Sequence, residues 1–326
     1  MKRFFKLRPL ALHIIMLGLA LSIAGCKKET ASTAIGPLTA TIQAASDLVN
    51  SAKEGVTLGQ YAPGSKANLQ AKIDWANFIK NNSGNDVAYL NAKKTLEDAT
   101  ASFKANTVKP GTPKFAINSF FELGSVDDLV PNKSNFTMEL KVKLSDLLTD
   151  GTAKLGGFIT IDDKSLGILF RYTNTGAIAA YIHNGGYIGA TTPANTLTVD
   201  KWYHLTYTFN GSVITIYVDG VKKATANISG GPKPANIAAG SPVRLGMSRN
   251  NIWTATDLRS MHGNLKDVRF WNYALTEVEV NTNMSKTLTG TETGLIAYWP
   301  FDLNLGNSVP SSVGKFTAVA TNITWE

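Results

Sequence analysis

Two hydrophobic periods divide the chain. In "FTMELKVKL", Phe136, Met138, Leu140, Val142 and Leu144 alternate with Thr137, Glu139, Lys141 and Lys143. A period of two predicts a β-strand with one face toward a core. The pattern returns at 202–226. There Tyr203, Leu205, Tyr207 and Phe209 alternate, Asn210-Gly211 interrupts, Ile214, Ile216 and Val218 alternate, and Asp219-Gly220 interrupts again. Asn-Gly and Asp-Gly predict tight hairpins, because both central residues of a type I′ turn take φ > 0. "TNTGA" at 173–177 predicts another. Many short strands separated by turn residues make a sandwich or barrel. Residues 115–326 are too many for an immunoglobulin-like domain and suit a jelly roll of two broad sheets.

Between 38 and 108 the period is helical. Leu38, Ile42, Ala45, Val49 and Ala52 step by fours and threes along one face. "GVTLGQYAPGSK" interrupts as a loop. A second helix carries Leu69, Ile73, Ala76 and Ile79, with Trp75 and Phe78 beside the stripe. "NNSGND" breaks it, and a third helix runs from Asp86, read as its N-cap, to Phe103 through Ala92, Leu96 and Ala99. Three such helices predict a small bundle over 38–108. Trp75 and Tyr61 read first as packing residues, with a ligand-facing role as the alternative. "VKPGTPK" changes the period, so 109–114 reads as a Pro/Gly linker between the bundle and the β domain.

Charge and cysteine change the picture at the N-terminus. Lys2, Arg3, Lys6 and Arg8 precede an apolar run of fourteen residues, Leu10 to Ile23. That run is shorter than the roughly 20 residues of a membrane-spanning helix and has the layout of a secretory signal. The formal charge of +8 falls to +4 when residues 1–26 are set aside, and no Lys/Arg stripe remains, so nucleic acid is not an expected partner. The single cysteine, Cys26, follows Ala24 and Gly25 in "LSIAGCKKE". This segment resembles the lipobox of bacterial lipoproteins. The resemblance implies a signal peptide over 1–26, lipidation of Cys26, and a membrane partner reached through that anchor. With Lys27 after the cysteine it implies a lipid-anchored protein of the outer membrane, and the "KKE" run, if read as a surface-export tag, would expose it at the cell surface. Residues 27–37, rich in Thr, Ala and Ser, then read as a tether.

Two further resemblances cover the rest. "EGVTLGQYAPGSKANLQAKIDWA" resembles the FIVAR-like helical repeats of bacterial surface proteins, which implies a spacer or attachment module. "KWYHLTYTFNGSVITIYVDGVKKAT", "PVRLGMSRN", "GNLKDVRFWNYALTEVEV" and "GLIAYWPFDLNLGNSV" occur in that order. Together they resemble the laminin-G-like, concanavalin A-like lectin/glucanase superfamily over 115–326. The expected fold is therefore mainly β, a concanavalin A-like jelly-roll sandwich preceded by a small three-helix bundle. Within these segments Val268 and Phe270 are expected inward, Arg269 and Trp271 outward, and Thr276 with Glu279 is expected to form a capping box.

Catalysis in the superfamily needs two carboxylates, about 5–5.5 Å apart in a retaining enzyme. The Glu-x-Asp-x-x-Glu pattern of its laminarinase-like branch does not occur here. Asp127-Asp128 and Asp162-Asp163 are adjacent pairs whose side chains point apart on a strand, Glu139 stands among lysines, and Glu277 and Glu279 belong to the capped helix. His183, His204 and His262 are the histidines of the β domain, with no Gly-x-Ser-x-Gly elbow to serve. No cofactor is required. Calcium is the one candidate, which the resemblance places at Asp302, although Asn307 and serines stand where relatives carry a second acid.

Sugar binding needs exposed aromatic faces flanked by polar groups. The candidates are Trp253 in "NNIWTATD", Trp271, Tyr172 beside Arg171, and Tyr187 in "NGGYIG". Trp253, in a segment without strand alternation, is the leading one, since loops on a rigid scaffold carry binding residues. The expected function is non-catalytic recognition of a glycan or polysaccharide by a lipid-anchored envelope protein. The alternatives are an adhesion or assembly module with a protein partner, and a divergent glycoside hydrolase.

Overall fold

The computed structural model describes residues 32–147, 154–163, 166–184, 186–228, 237–248 and 259–326, the side chains of 162, 163, 166, 183 and 184 aside. Three helices come first: α1 (Ile35–Ser51), α2 (Ser65–Asn82) and α3 (Asp86–Ala105). Strands β1 (Lys109–Pro110), β2 (Pro113–Phe115) and β3 (Phe120–Ser125) follow, then the single turn α4 (Val126–Leu129). Next come β4 (Phe136–Leu144), β5 (Leu155–Asp163), β6 (Leu166–Thr173), β7 (Ile178–Asn184) and β8 (Tyr187–Thr191). The meander β9 (Trp202–Phe209), β10 (Val213–Val218) and β11 (Val221–Asn227) leads to β12 (Pro242–Leu245), β13 (Gly263–Trp271) and α5 (Glu277–Asn283). Last are β14 (Leu295–Trp299), β15 (Leu303–Asn304), β16 (Ser308–Pro310), β17 (Thr317–Thr321) and β18 (Thr324–Trp325).

The helices pack as their stripes dictate. Leu38, Ile42, Ala45 and Val49 of α1 meet Leu69, Ile73 and Ala76 of α2 and Tyr89, Ala92, Leu96 and Phe103 of α3 in one buried cluster. One cap differs from the sequence reading. Asn85, not Asp86, is the N-cap of α3; its side chain accepts from the backbone N–H of Val87 at 2.8 Å. Asp86 is the first helical residue, where its charge faces the positive end of the helix dipole. Tyr61 stacks on Phe103 with ring centroids 4.2 Å apart, whereas Trp75 and Phe78 are exposed.

The β region is a sandwich of two antiparallel sheets. The first runs β11-β10-β9-β4-β13-β2-β18, with β14 also on β13; the second runs β16-β17-β3-β12-β5-β6-β7-β8. Their inner faces share one core. Phe136, Met138, Leu140 and Val142 from β4 and Leu205 and Tyr207 from β9 meet Phe121, Ile159, Ile168, Phe170 and Ile182 from the second sheet. Each large apolar side chain buried this way contributes roughly 1.5–3 kcal/mol.

The turns follow their residues closely. Asp219 and Gly220 have φ of 49° and 75° and close β10 onto β11 with Val218 opposite Val221, as a two-residue turn should. Asn210-Gly211 makes a wider loop than expected: Phe209 pairs with Ile214, and only Gly211 of the two has positive φ. The Asn210 side chain accepts from the N–H of Ser212 and Val213, so an Asx turn replaces the type I′ turn. Residues 109–114, expected as a linker, are strand-paired at both ends. Lys109 and Pro110 pair with Asn304 and Leu303, and Pro113 and Lys114 with Trp325 and Thr324. Proline is tolerated at such short edges because its missing N–H is not needed there.

A further layer covers part of the first sheet. Thr276 and Glu279 form the expected capping box and start α5. Beneath it Tyr217, Trp271, Leu275, Val280, Leu288, Leu295 and Tyr298 make a second small core on the outer side of the sheet. Among the described residues no helix is long and apolar enough to cross a membrane.

Candidate functional site

The outer face of the first sheet is closed in part, where α5 lies over it. Val268 and Phe270 point into the sandwich as expected, but Arg269 and Trp271, on the opposite side, are buried under α5 rather than exposed. The Trp271 indole N–H donates to Glu139 Oε2 at 2.7 Å, so this ring offers no surface to a sugar. Glu139, which stands among lysines in the sequence, is fully buried, with Arg269 Nη1 3.9 Å and His204 Nε2 3.4 Å away. Arg269 also donates to the carbonyls of Asn283 and Lys286, at 2.8 and 2.7 Å. A cation at the C-terminal end of a helix satisfies its orphan carbonyls and opposes its dipole. Burial raises the Asp267 carboxyl, but the hydrogen bond from Lys141 and the charge of Arg269 outweigh it, leaving its pKa below the ordinary value. This cluster is cement between sheet and helix.

The second sheet places a different group outside. Cross-strand register sets the faces: Arg171 on β6 stands opposite Gly157 on β5 and Ala179 on β7, and Ala179 opposite Thr191 on β8. Paired residues in an antiparallel sheet share a face, and every second residue along a strand returns to it. Tyr181, Tyr187, Gly189 and Thr191 therefore lie on the same side as Arg171. Tyr172, its sequence neighbour, points the other way. It is fully buried and stacks on Phe158 at 5.2 Å, which removes it from the candidates.

On that face the guanidinium of Arg171 lies 5.4 Å from the centre of the Tyr181 ring and 4.8 Å from that of Tyr187. The two rings are 6.0 Å apart and inclined by 59°. The Tyr181 hydroxyl is hydrogen-bonded to that of Thr191. Gly189 makes room, since a Cβ there would meet the carbonyl of Ala180 at 2.0 Å and the Tyr181 ring at 2.6 Å. Arg171 is only 4 % exposed while Tyr187 is 48 % exposed, so the outer ring roofs the cation and presents its own face to solvent. Burial pushes the Arg171 guanidinium below its ordinary range; Tyr187 opposes this and the charge of Arg259 adds to it. Stacking on aromatic faces suits arginine, whose plane is weakly hydrated.

The structure thus brings together Arg171 and Tyr187 from the sequence candidates and adds Tyr181 and Thr191. Trp253 and Cys26 lie outside the described residues. The signal for Tyr181 depends on the hairpin register: with Arg171 opposite Ala179, the second residue after Ala179 returns to the face of Arg171. Asp302, the calcium candidate, is exposed, and among the described residues no group of three or more His, Cys, Asp or Glu is placed to share a metal ion. Of the histidines, His204 is buried beside Glu139 and His262 Nδ1 is 3.0 Å from Asp146.

Known folds resemble this one. A Bacteroides ovatus protein assigned to carbohydrate binding superposes with a TM-score of 0.50 at 18 % identity, over 67 % of this chain and 59 % of its own. The chain thus spans less than two thirds of that protein's length. A SAP-like pentraxin from Limulus polyphemus matches with a TM-score of 0.39 at 19 % identity, over 54 % of this chain and 82 % of its own. The CBM40 of the Ruminococcus gnavus IT-sialidase matches at 0.41 and 12 %, over 54 % of this chain and 96 % of its own. No curated protein matches the chain. The Laminin_G_3 family model matches residues 115–281, slightly more than half of the chain, and the protein belongs to the concanavalin A-like lectin/glucanases superfamily.

Proposed function

We propose that the protein is a glycan-recognition module of the cell envelope that performs no chemistry, held at the outer membrane through lipid on Cys26. A sugar ring rests on Tyr187, with Tyr181, Thr191 and Arg171 supplying the polar contacts beside it. One observation carries this reading: beside a buried arginine and a half-buried tyrosine, one aromatic ring stands 48 % exposed on the edge strand of a rigid sheet. Aromatic rings with a polar handle are what binding surfaces use, and rigid strands hold them at fixed geometry. Likeness to a Bacteroides protein assigned to carbohydrate binding agrees with it.

A glycan array probed with the full chain tests the proposal. Binding to a defined set of oligosaccharides that disappears in Tyr187→Ala, with the fold intact by circular dichroism, is the expected result. Binding that survives this change excludes the face. Release of reducing sugar from any bound glycan would instead favour a hydrolase. For the anchor, incorporation of labelled palmitate that is lost in Cys26→Ser is expected, and a chain that incorporates none is not lipidated.

A further inference from the structure

Several cations among the described residues are paired with acids. Arg269 has Glu139 and Asp267, Lys141 has Asp267, Lys133 has Asp127, and Arg244 on the outer face of the second sheet has Glu122 at 4.0 Å. Arg171 has no such acid among the described residues. It is 4 % exposed, and its Nε and Nη1 have no hydrogen-bond partner among the described residues. The groups acting on its charge are Tyr187, Tyr181 and a second cation, Arg259, with no carboxylate among them. Its cross-strand neighbours, Gly157 and Ala179, are small and uncharged, as is Thr191 beyond them. A guanidinium removed from water is ordinarily compensated by an anion with which it makes charge-assisted hydrogen bonds. Among the described residues no carboxylate takes that position, which lies beside the most exposed tyrosine.

We infer that the ligand supplies the missing counter-charge: the face selects glycans bearing a carboxylate, as uronic or sialic acid residues do, with the acid group received by Arg171 while the ring rests on Tyr187. This rests on the glycan reading above and narrows it to one class of sugar. The planar guanidinium matches a planar carboxylate, and it keeps its charge at every relevant pH. Tyr187, over the guanidinium at 4.8 Å and on the edge strand β8, is the group that shifts to admit the acid.

The test is isothermal titration of the full chain with 3′-sialyllactose and trigalacturonate, with the methyl ester of each, and with lactose and 3′-sulfolactose. At least one acid is expected to bind tenfold or more tightly than its ester and to weaken as sodium chloride is raised. Arg171→Met is expected to abolish the preference, and Arg171→Lys to keep part of it. The comparison of acid with ester needs no variant, so it stands if Arg171→Met fails to fold. Neutral and esterified sugars bound as tightly as the acids, with all binding lost in Tyr187→Ala, would overturn the acid selectivity and leave the glycan reading standing. Sulfolactose bound in preference to both acids would overturn the carboxylate assignment. No binding to these sugars or to any glycan on an array would overturn both.

Discussion

Glu139 is fully buried between the first sheet and α5, and replacing it should cost more than any surface change. Glu139→Ala removes the acceptor of the Trp271 N–H, bonded at 2.7 Å, and the negative charge 3.9 Å from a fully buried Arg269. Breaking one partner out of a buried ion pair costs about 3–5 kcal/mol, and an unsatisfied buried donor about 1–3 kcal/mol. These do not add, because Arg269 keeps its bonds to the carbonyls of Asn283 and Lys286 and Asp267 stays 3.7 Å away. The expected loss for Glu139→Ala is therefore about 3–4 kcal/mol, at the lower end of the ion-pair range. Glu139→Gln keeps an acceptor for the indole and gives up only the charge, so about 1–2 kcal/mol is expected. Urea denaturation followed by far-ultraviolet circular dichroism measures both. A double-mutant cycle with Arg269→Met should return a coupling of at least about 1 kcal/mol. A Glu139→Ala variant within about 0.5 kcal/mol of wild type, typical of surface substitutions, would refute the reasoning. So would a Gln variant as damaged as the Ala variant.

Other outcomes follow from single residues. The Asp267 pKa lies below its ordinary value in the fold, so its contribution is present above the unfolded carboxylate pKa of about 3.9 and is lost as pH falls through the folded value. Asp267→Asn should accordingly narrow the stability difference between pH 7 and pH 2, read as urea midpoints. Gly189→Val should unpair β7 from β8, since its Cβ meets backbone at 2.0 Å, and should lose stability and glycan binding together. Tyr187→Ala should lose binding alone, with an unchanged melting temperature. Asn85→Ala should cost about 1 kcal/mol through the lost cap of α3, measured by thermal denaturation.

Much of the scaffold is legible in the sequence because period and turn chemistry are local. Alternation along 136–144, the Asp219-Gly220 turn and the Thr276–Glu279 box each specify their own geometry, and each occurs in the structure. Period two tells which side a residue takes, not what lies on that side. Arg269 and Trp271 do leave the sandwich core, yet α5 covers them, and only the later course of the chain decides that. The site was half legible for the same reason. Arg171 and Tyr172 are neighbours and so take opposite faces, which leaves one of them on a surface. Tyr181 and Tyr187 join Arg171 only once the hairpin registers Arg171–Ala179 and His183–Tyr187 are fixed.

Amide hydrogen exchange of the full chain, with and without a bound oligosaccharide, tests the location of the site most directly. Slowed exchange concentrated in β6, β7 and β8, around Arg171, Tyr181 and Tyr187, is the expected result. Protection confined to the helices over 35–105 or to the lysine-flanked Trp202 on the first sheet would contradict it, as would a bound sugar that protects nothing on the second sheet.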